Sequence, residues 1–195
     1  VIGTQHLVEA AATMNKKILY ISTDFVFSGS KAEYTETDIP QPVNWYGETK
    51  REGEKIVLSN VHNLVVRTTY PYRAHNFSKK DFVHNIFERL MRNERVSAVV
   101  DQIVTPTLID DIAVALKVLI HNSAAGIFHV VGSQSLSPYE AAQYIAEIFN
   151  FPKTLIDRST VSVYYQNRAP RPYKLVTKNA KITQLGVRMH TFLDG

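Results

Sequence analysis

Apolar residues recur at helical spacing from Val1 to Ala11 and then condense into a short continuous run, Lys17-Ile18-Leu19-Tyr20-Ile21-Ser22. Such a run is typical of strands buried in parallel sheets, so it is expected as a central strand. A polar loop from Ser28 to Asn44, with Gly29, Pro40 and Pro42, leads into a helix from about Trp45 to Ser59, and Asn63 to Arg67 reads as a second strand. Strand, helix and strand in this spacing predict a right-handed parallel crossover, hence half of a doubly wound α/β sheet. Further on, Tyr70 to Asn76 reads as loop, Asp81 to Asn93 as an amphipathic helix and Val96 to Val100 as an apolar run. A helix from Ile109 to His121 precedes a strand from Gly126 to Val131. Ser137-Pro138-Tyr139-Glu140 has a Ser cap followed by Pro at the first helical position, and starts a helix reaching about Phe149. The last 45 residues, with Pro152, Pro170 and Pro172, are expected to be irregular with short elements.

Composition narrows the class. The chain has 195 residues, 45% hydrophobic and 21% charged, enough for one substantial core. It has no cysteine, which excludes disulfides and thiolate metal sites, and no apolar stretch approaches the roughly 20 residues of a membrane span. With no signal-peptide pattern at Val1 to Thr13, a cytoplasmic location is the default expectation. The opening helix has no capping residue ahead of it, so sequence is expected upstream. The formal charge of +4 is uneven: seven basic residues and no acid lie between Arg158 and Leu193. That tail suits either a solvated face or a pocket for a phosphorylated small molecule; no nucleic-acid module surrounds its tyrosines. The seven histidines show neither H-x-H nor H-E-x-x-H spacing, so no metal site is expected.

The candidate chemistry lies in Tyr46-Gly47-Glu48-Thr49-Lys50 together with Ser22-Thr23-Asp24. A Tyr and a Lys four apart on a helix share a face, where an ammonium favours the ionised form of a phenol. Ser22, Thr23 and Asp24 fall at the C-terminal end of a strand, where open α/β sheets bind ligands. No G-x-x-G-x-x-G or G-x-G-x-x-G spacing occurs among the eight glycines, so the phosphate-cradling turn of a dinucleotide site is absent.

These stretches carry a resemblance. Tyr20 to Gly29, Tyr34-Thr35-Glu36-Thr37-Asp38, Pro40-Gln41-Pro42, Tyr46 to Lys50 and Gly53-Glu54 are similar, in order and gaps, to the extended short-chain dehydrogenase/reductases, in the dTDP-4-dehydrorhamnose reductase branch. Arg67-Thr68-Thr69-Tyr70, Asn76-Phe77, Asp101-Gln102 with Pro106-Thr107, Asp110-Asp111-Ile112-Ala113 and Arg171-Pro172 extend the likeness over the whole chain. The resemblance implies the C-terminal portion of a Rossmann-type sheet (1–69 and 109–131) interleaved with a smaller substrate-binding lobe (70–108 and 132–195). It implies reduction of a 4-keto nucleotide sugar with NADP or NAD as cofactor, and Thr23, Tyr46 and Lys50 as catalytic residues. Ser22, Tyr46 and Lys50 would meet the cofactor, and Thr23, Asp24, Phe25, Tyr70 and Arg171 the nucleotide-diphosphate sugar. Phe25 stands where the branch has Tyr, Tyr70 where it has a sugar-stacking Trp, and Val104 where it has Gly. A homodimer is a further expectation. Two alternatives share the pattern: a nucleotide-sugar epimerase or dehydratase, and a non-catalytic regulatory relative, similar to the beta subunit of methionine adenosyltransferase, that binds a larger enzyme.

Overall fold

The computed structural model describes residues 1–75 and 79–195. Its strands are β1 (Leu19–Thr23), β2 (Leu64–Thr68), β3 (Pro71–Tyr72), β4 (Val96–Val99), β5 (Thr107–Leu108), β6 (Gly126–His129) and β7 (Ile156–Ser159). Its helices are α1 (Ile2–Thr13), α2 (Trp45–Leu58), α3 (Phe82–Met91), α4 (Ile109–His121), α5 (Pro138–Ile148), α6 (Val161–Tyr164) and α7 (Ala180–Thr183). The main sheet runs β1-β2-β6, all parallel, with Leu19 beside Leu64 and Leu64 beside Gly126. This is the expected parallel α/β architecture.

Alternation along β2 divides the sheet into two faces. Leu64 and Val66 join Phe128, Val130 and, from α4, Ala115 and Leu119 in one apolar cluster. On the opposite face, the register aligns Tyr20 with Val65, Ser22 with Arg67 and Arg67 with His129. Helix α2 lies there, burying Gly47, Gly53, Glu54 and Val57. Its start is fixed by Asn44, whose side chain accepts from the Gly47 N–H at 2.8 Å. Gly47 has to be small: a Cβ there would stand 2.2 Å from the carbonyl oxygen of Phe25.

The α2 face contains a buried charge cluster. Glu54 accepts from Arg67 through both carboxylate oxygens, at 2.9 Å from Nε and 2.7 Å from Nη2, and the Ser22 hydroxyl donates to it at 2.5 Å. Arg67 Nη1 lies 3.4 Å from His129 Nε2, and the guanidinium stands 5.0 Å from the Phe27 ring centroid. A bidentate pair with its remaining positions satisfied is the arrangement in which buried charges are tolerated.

The second lobe packs α3 and α5 over two short parallel pairs, β3 with β5 and β4 with β7, around Tyr72, Leu90, Ala142, Ile145, Ile156 and Phe192. Helix α5 begins as its sequence predicts: the Ser137 hydroxyl accepts from Glu140 N–H and the Glu140 carboxylate from Ser137 N–H.

Three expectations differ from what is observed. The run expected as a central strand lies at the edge of the described sheet, hydrogen-bonded to β2, with Ile21 exposed. The stretch expected as loop after Tyr70 contains β3, since a two-residue strand has no measurable period; the tail holds short elements as expected, among them β7, α6 and α7. Residues 132–195 also do not stay in the lobe. Tyr34 N–H donates to Val176 O at 2.8 Å, and Ile182, Val187 and Met189 join the α4-side cluster of the main sheet. The Asn76-Phe77 match and the Asn76-Phe77-Ser78 triplet lie outside the described residues. No described helix is long and apolar enough to cross a membrane.

Replacing Glu54 by Ala leaves Arg67 charged, buried and unpaired. Urea unfolding of this variant is expected to show a loss of about 3–5 kcal/mol, against under ~1 kcal/mol for the exposed pair Lys153–Glu147.

Candidate active site

At the C-terminal end of β1 the chain turns through one tight helical turn, Asp24–Val26, capped by Thr23. The Thr23 hydroxyl accepts from Phe25 N–H and donates to Asp24 Oδ1, both at 3.3 Å. Because Gly47 allows α2 to approach the Phe25 carbonyl, Tyr46 reaches this turn; its ring meets Phe25 edge-on at 5.8 Å and remains 54% exposed. Lys50, one helical turn further, donates from Nζ to Ile21 O at 2.6 Å.

The lobe closes the site from the other side. The Arg171 guanidinium lies between two aromatic rings, 5.2 Å from Phe25 and 5.1 Å from Tyr165. Its segment is held by Asn44, which donates to Pro170 O at 2.9 Å, and by buried Gln102, which donates to Pro172 O at 3.0 Å. Tyr70 follows β2 with φ of 39°, a left-handed conformation costly for an aromatic residue and one that concentrates at functional sites. Burial, followed by Tyr165, raises its phenol well above the ordinary range, and Asp24 adds to the effect. A cavity of about 250 Å³ opens beside Tyr70, lined also by Phe82, Tyr164 and Tyr165. A larger one, about 680 Å³, lies between α3 and α5 and is lined by none of these site residues.

Asp24 is the electrostatic centre of the site. It is 1% exposed, and its Oδ2 has no hydrogen-bond partner. Burial pushes its carboxyl up to about 7, against the opposing pull of the Thr69 and Thr23 hydroxyls. Near neutral pH it can therefore donate as well as accept a hydrogen bond. His129 moves the other way: burial, then the Arg67 charge, lowers it to about 3, so it is neutral in the charge cluster.

The structure thus gathers Thr23, Asp24, Phe25, Tyr46, Tyr70 and Arg171 around one turn, with Lys50 at its margin. Ser22 points elsewhere: it is buried on the α2 face and its hydroxyl is engaged by Glu54. The basic tail is not one surface. Arg158 stacks on Tyr139, Lys178 pairs with Glu33 at 2.9 Å, and Lys181 donates to Ile127 O at 2.6 Å; of these four, Arg171 alone enters the site. Other residues of the sequence pattern also turn out to hold the tail. Asp101 accepts from Val161 N–H at 2.7 Å, and Asp111 from His190 N–H at 2.7 Å. Tyr165 and Gln102 are not among the expected site residues; Gln102 belongs to the Asp101-Gln102 stretch of the family pattern, and its bond to Pro172 O shows that it holds the Arg171 segment, while Tyr165 is revealed by its ring beside Arg171.

A parallel α/β sheet carrying a Tyr and a Lys one helical turn apart at the end of a strand has the architecture of Rossmann-type reductases. A family model, RmlD substrate binding domain, matches residues 1–193, and the chain belongs to that family. Methionine adenosyltransferase 2 subunit beta of Rattus norvegicus is 34% identical over 194 residues, covering 95% of this chain and 57% of that protein. A dTDP-4-dehydrorhamnose reductase of Sinorhizobium fredii is 34% identical over 157 residues, covering 76% of this chain and 52% of the relative. The chain therefore spans little more than half the length of these curated relatives. The crystal structure of dTDP-4-dehydrorhamnose reductase from Bacillus anthracis in complex with NADP matches all of this chain and 68% of its own, with TM-score 0.89 at 29% identity.

The two shifted groups act on stability in opposite directions. Asp24, raised to about 7, contributes stability that is complete below about pH 4 and is lost as pH rises through 7. His129, lowered to about 3, contributes stability that is complete above about pH 6.5 and is lost as pH falls toward 3. Asp24→Asn removes only the first. Measured by urea unfolding, its stability relative to wild type is expected to be more favourable at pH 8 than at pH 5, by about 2–3 kcal/mol. A pH-independent difference would show that Asp24 is ionised throughout.

Proposed function

We propose that this chain supplies the substrate-binding and proton-transfer part of an NAD(P)H-dependent reductase acting on a 4-keto nucleotide sugar. The observation that carries the reading is the placement of Tyr46, half exposed, beside the Thr23–Phe25 turn, with Lys50 one turn behind it.

The roles follow from chemistry. Thr23 would donate a hydrogen bond to the keto oxygen, and Tyr46 would give that oxygen its proton. The Lys50 ammonium would stabilise the phenolate left behind. Asp24, neutral when protonated, can hold a sugar hydroxyl in the buried turn; Phe25 and Tyr70 present apolar faces to the ring. Arg171, with its planar donors beside the site, suits a diphosphate.

NADP or NAD fits one end of this site. Tyr46, exposed, and Lys50, half-buried, carry polar atoms that can hold a nicotinamide ribose, whereas the sequence has no glycine-rich turn for the cofactor's phosphates. Bound there, the nicotinamide would supply the hydride. The NADP complex of the Bacillus anthracis reductase, at 29% identity over the whole chain, supports this assignment. Ser22 takes no cofactor role in this reading, since its hydroxyl is committed to Glu54.

A second reading is favoured by one observation: the 34% identity to methionine adenosyltransferase 2 subunit beta extends over 95% of the chain. Here the same site would bind dinucleotide without turnover, and the protein would act as a subunit of a larger enzyme.

The experiment is NADPH oxidation with dTDP-4-dehydrorhamnose by the whole protein that carries this chain, followed by the loss of NADPH absorbance. Tyr46→Phe is expected to lower kcat by about 10²–10⁴-fold with little change in KM. Binding of NADP without turnover in wild type, together with co-purification of a methionine adenosyltransferase catalytic subunit, would replace the reductase reading by the second.

A further inference from the structure

Lys50 rests on two supports that lie outside the residues assigned to the reaction. Its Nζ donates to Ile21 O at 2.6 Å, and the ammonium sits 4.3 Å from the centroid of the Tyr20 ring. A ring face attracts a cation at this distance, the more so where water is partly excluded. Tyr20 alternates with Ile21 along β1, so its side chain crosses to the α2 face. The ring is seated there because α2 has no side chain at Gly53: a Cβ at that position would stand 2.4 Å from Tyr20 Oη and 2.8 Å from Cζ. Burial, and after it the charge of Glu54, raises the Tyr20 phenol, so the ring offers a neutral face rather than a competing anion.

We propose that Tyr20, seated in the notch at Gly53, is a positioning residue that holds the Lys50 ammonium against the Ile21 carbonyl of β1, one helical turn from Tyr46. The proposal rests on the reading of Lys50 as the partner of Tyr46. It differs from a packing role in one respect: the aromatic face is required, while the hydroxyl and the bulk are not.

The test uses the whole chain and needs no turnover. Trace acetic anhydride labels amines according to their freedom and basicity, and peptide mass spectrometry reads Lys50 against Lys16 and Lys17 as internal references. Tyr20→Phe keeps the ring and is expected to label Lys50 as wild type does. Tyr20→Leu removes the ring face and is expected to raise Lys50 labelling about 2- to 10-fold, with the references unchanged. Gly53→Ala crowds an intact Tyr20 out of its seat and is expected to behave like Tyr20→Leu; it takes over as the deciding variant if Tyr20→Leu does not fold. Equal labelling of Lys50 in all four proteins overturns the proposal, as does a Phe variant that labels like Leu. Absence of NADPH oxidation in wild type is a separate result: it defeats the reductase reading, while the labelling contrast still decides whether Tyr20 holds Lys50.

Discussion

The geometry of this site depends on a buried ion pair. Glu54 and Arg67 belong to α2 and β2, and their bidentate contact, closed by the Ser22 hydroxyl from β1, ties three elements at one point inside the α2 face of the sheet. A helix lying on a sheet can otherwise roll about its axis at modest cost, because apolar contacts are not directional. Two parallel hydrogen bonds to a planar guanidinium are directional, so they fix the roll. Glu54 lies one turn beyond Lys50 and two beyond Tyr46, and the roll that satisfies it carries both toward the end of β1. The glycines at 47 and 53 allow the approach; the ion pair sets the angle.

From that anchoring the electrostatics of the site separate into two compartments. Beneath α2, charge is fully compensated, and His129 stays neutral because a proton there would be buried beside Arg67. At the turn beyond β1, compensation is incomplete: Asp24 keeps an unpartnered oxygen and Tyr70 a strained backbone. Unsatisfied buried groups and uncommon dihedrals are expensive in a free-standing scaffold and tolerable where a ligand completes them. The folded chain is well satisfied where it is structural and poorly satisfied where the substrate is expected.

Much of this is legible in the sequence, for physical reasons that also explain what is not. The α2 helix and the β1 and β2 strands announce themselves because each buries one face and so carries a period or a continuous apolar run. Tyr46, Lys50 and Thr23 stand out by spacing and by resemblance. The strands β3 and β5, two residues each, have no period to detect, and β7 is one of the short elements expected in the tail, without a position that the sequence could assign. Charge is the least legible property. Glu54 and Arg67 both belong to the family pattern, but nothing in the sequence shows that they pair, and the seven basic residues of the tail look like one patch. Folding buries the first pair and sends the members of the second to separate duties, because each side chain finds a partner within its own reach rather than along the chain.

The most direct test of the role of this ion pair is amide hydrogen exchange across α2, in wild type and in Glu54→Gln. In wild type the amides of residues 51–57, and the β1 amides hydrogen-bonded to β2, are predicted to exchange only through global unfolding. In the variant, α2 is predicted to exchange by a local opening while α5 and β4 keep their protection. Uniform acceleration over both lobes, or unchanged protection of α2, would contradict the claim that this buried pair holds the helix that presents Tyr46 and Lys50.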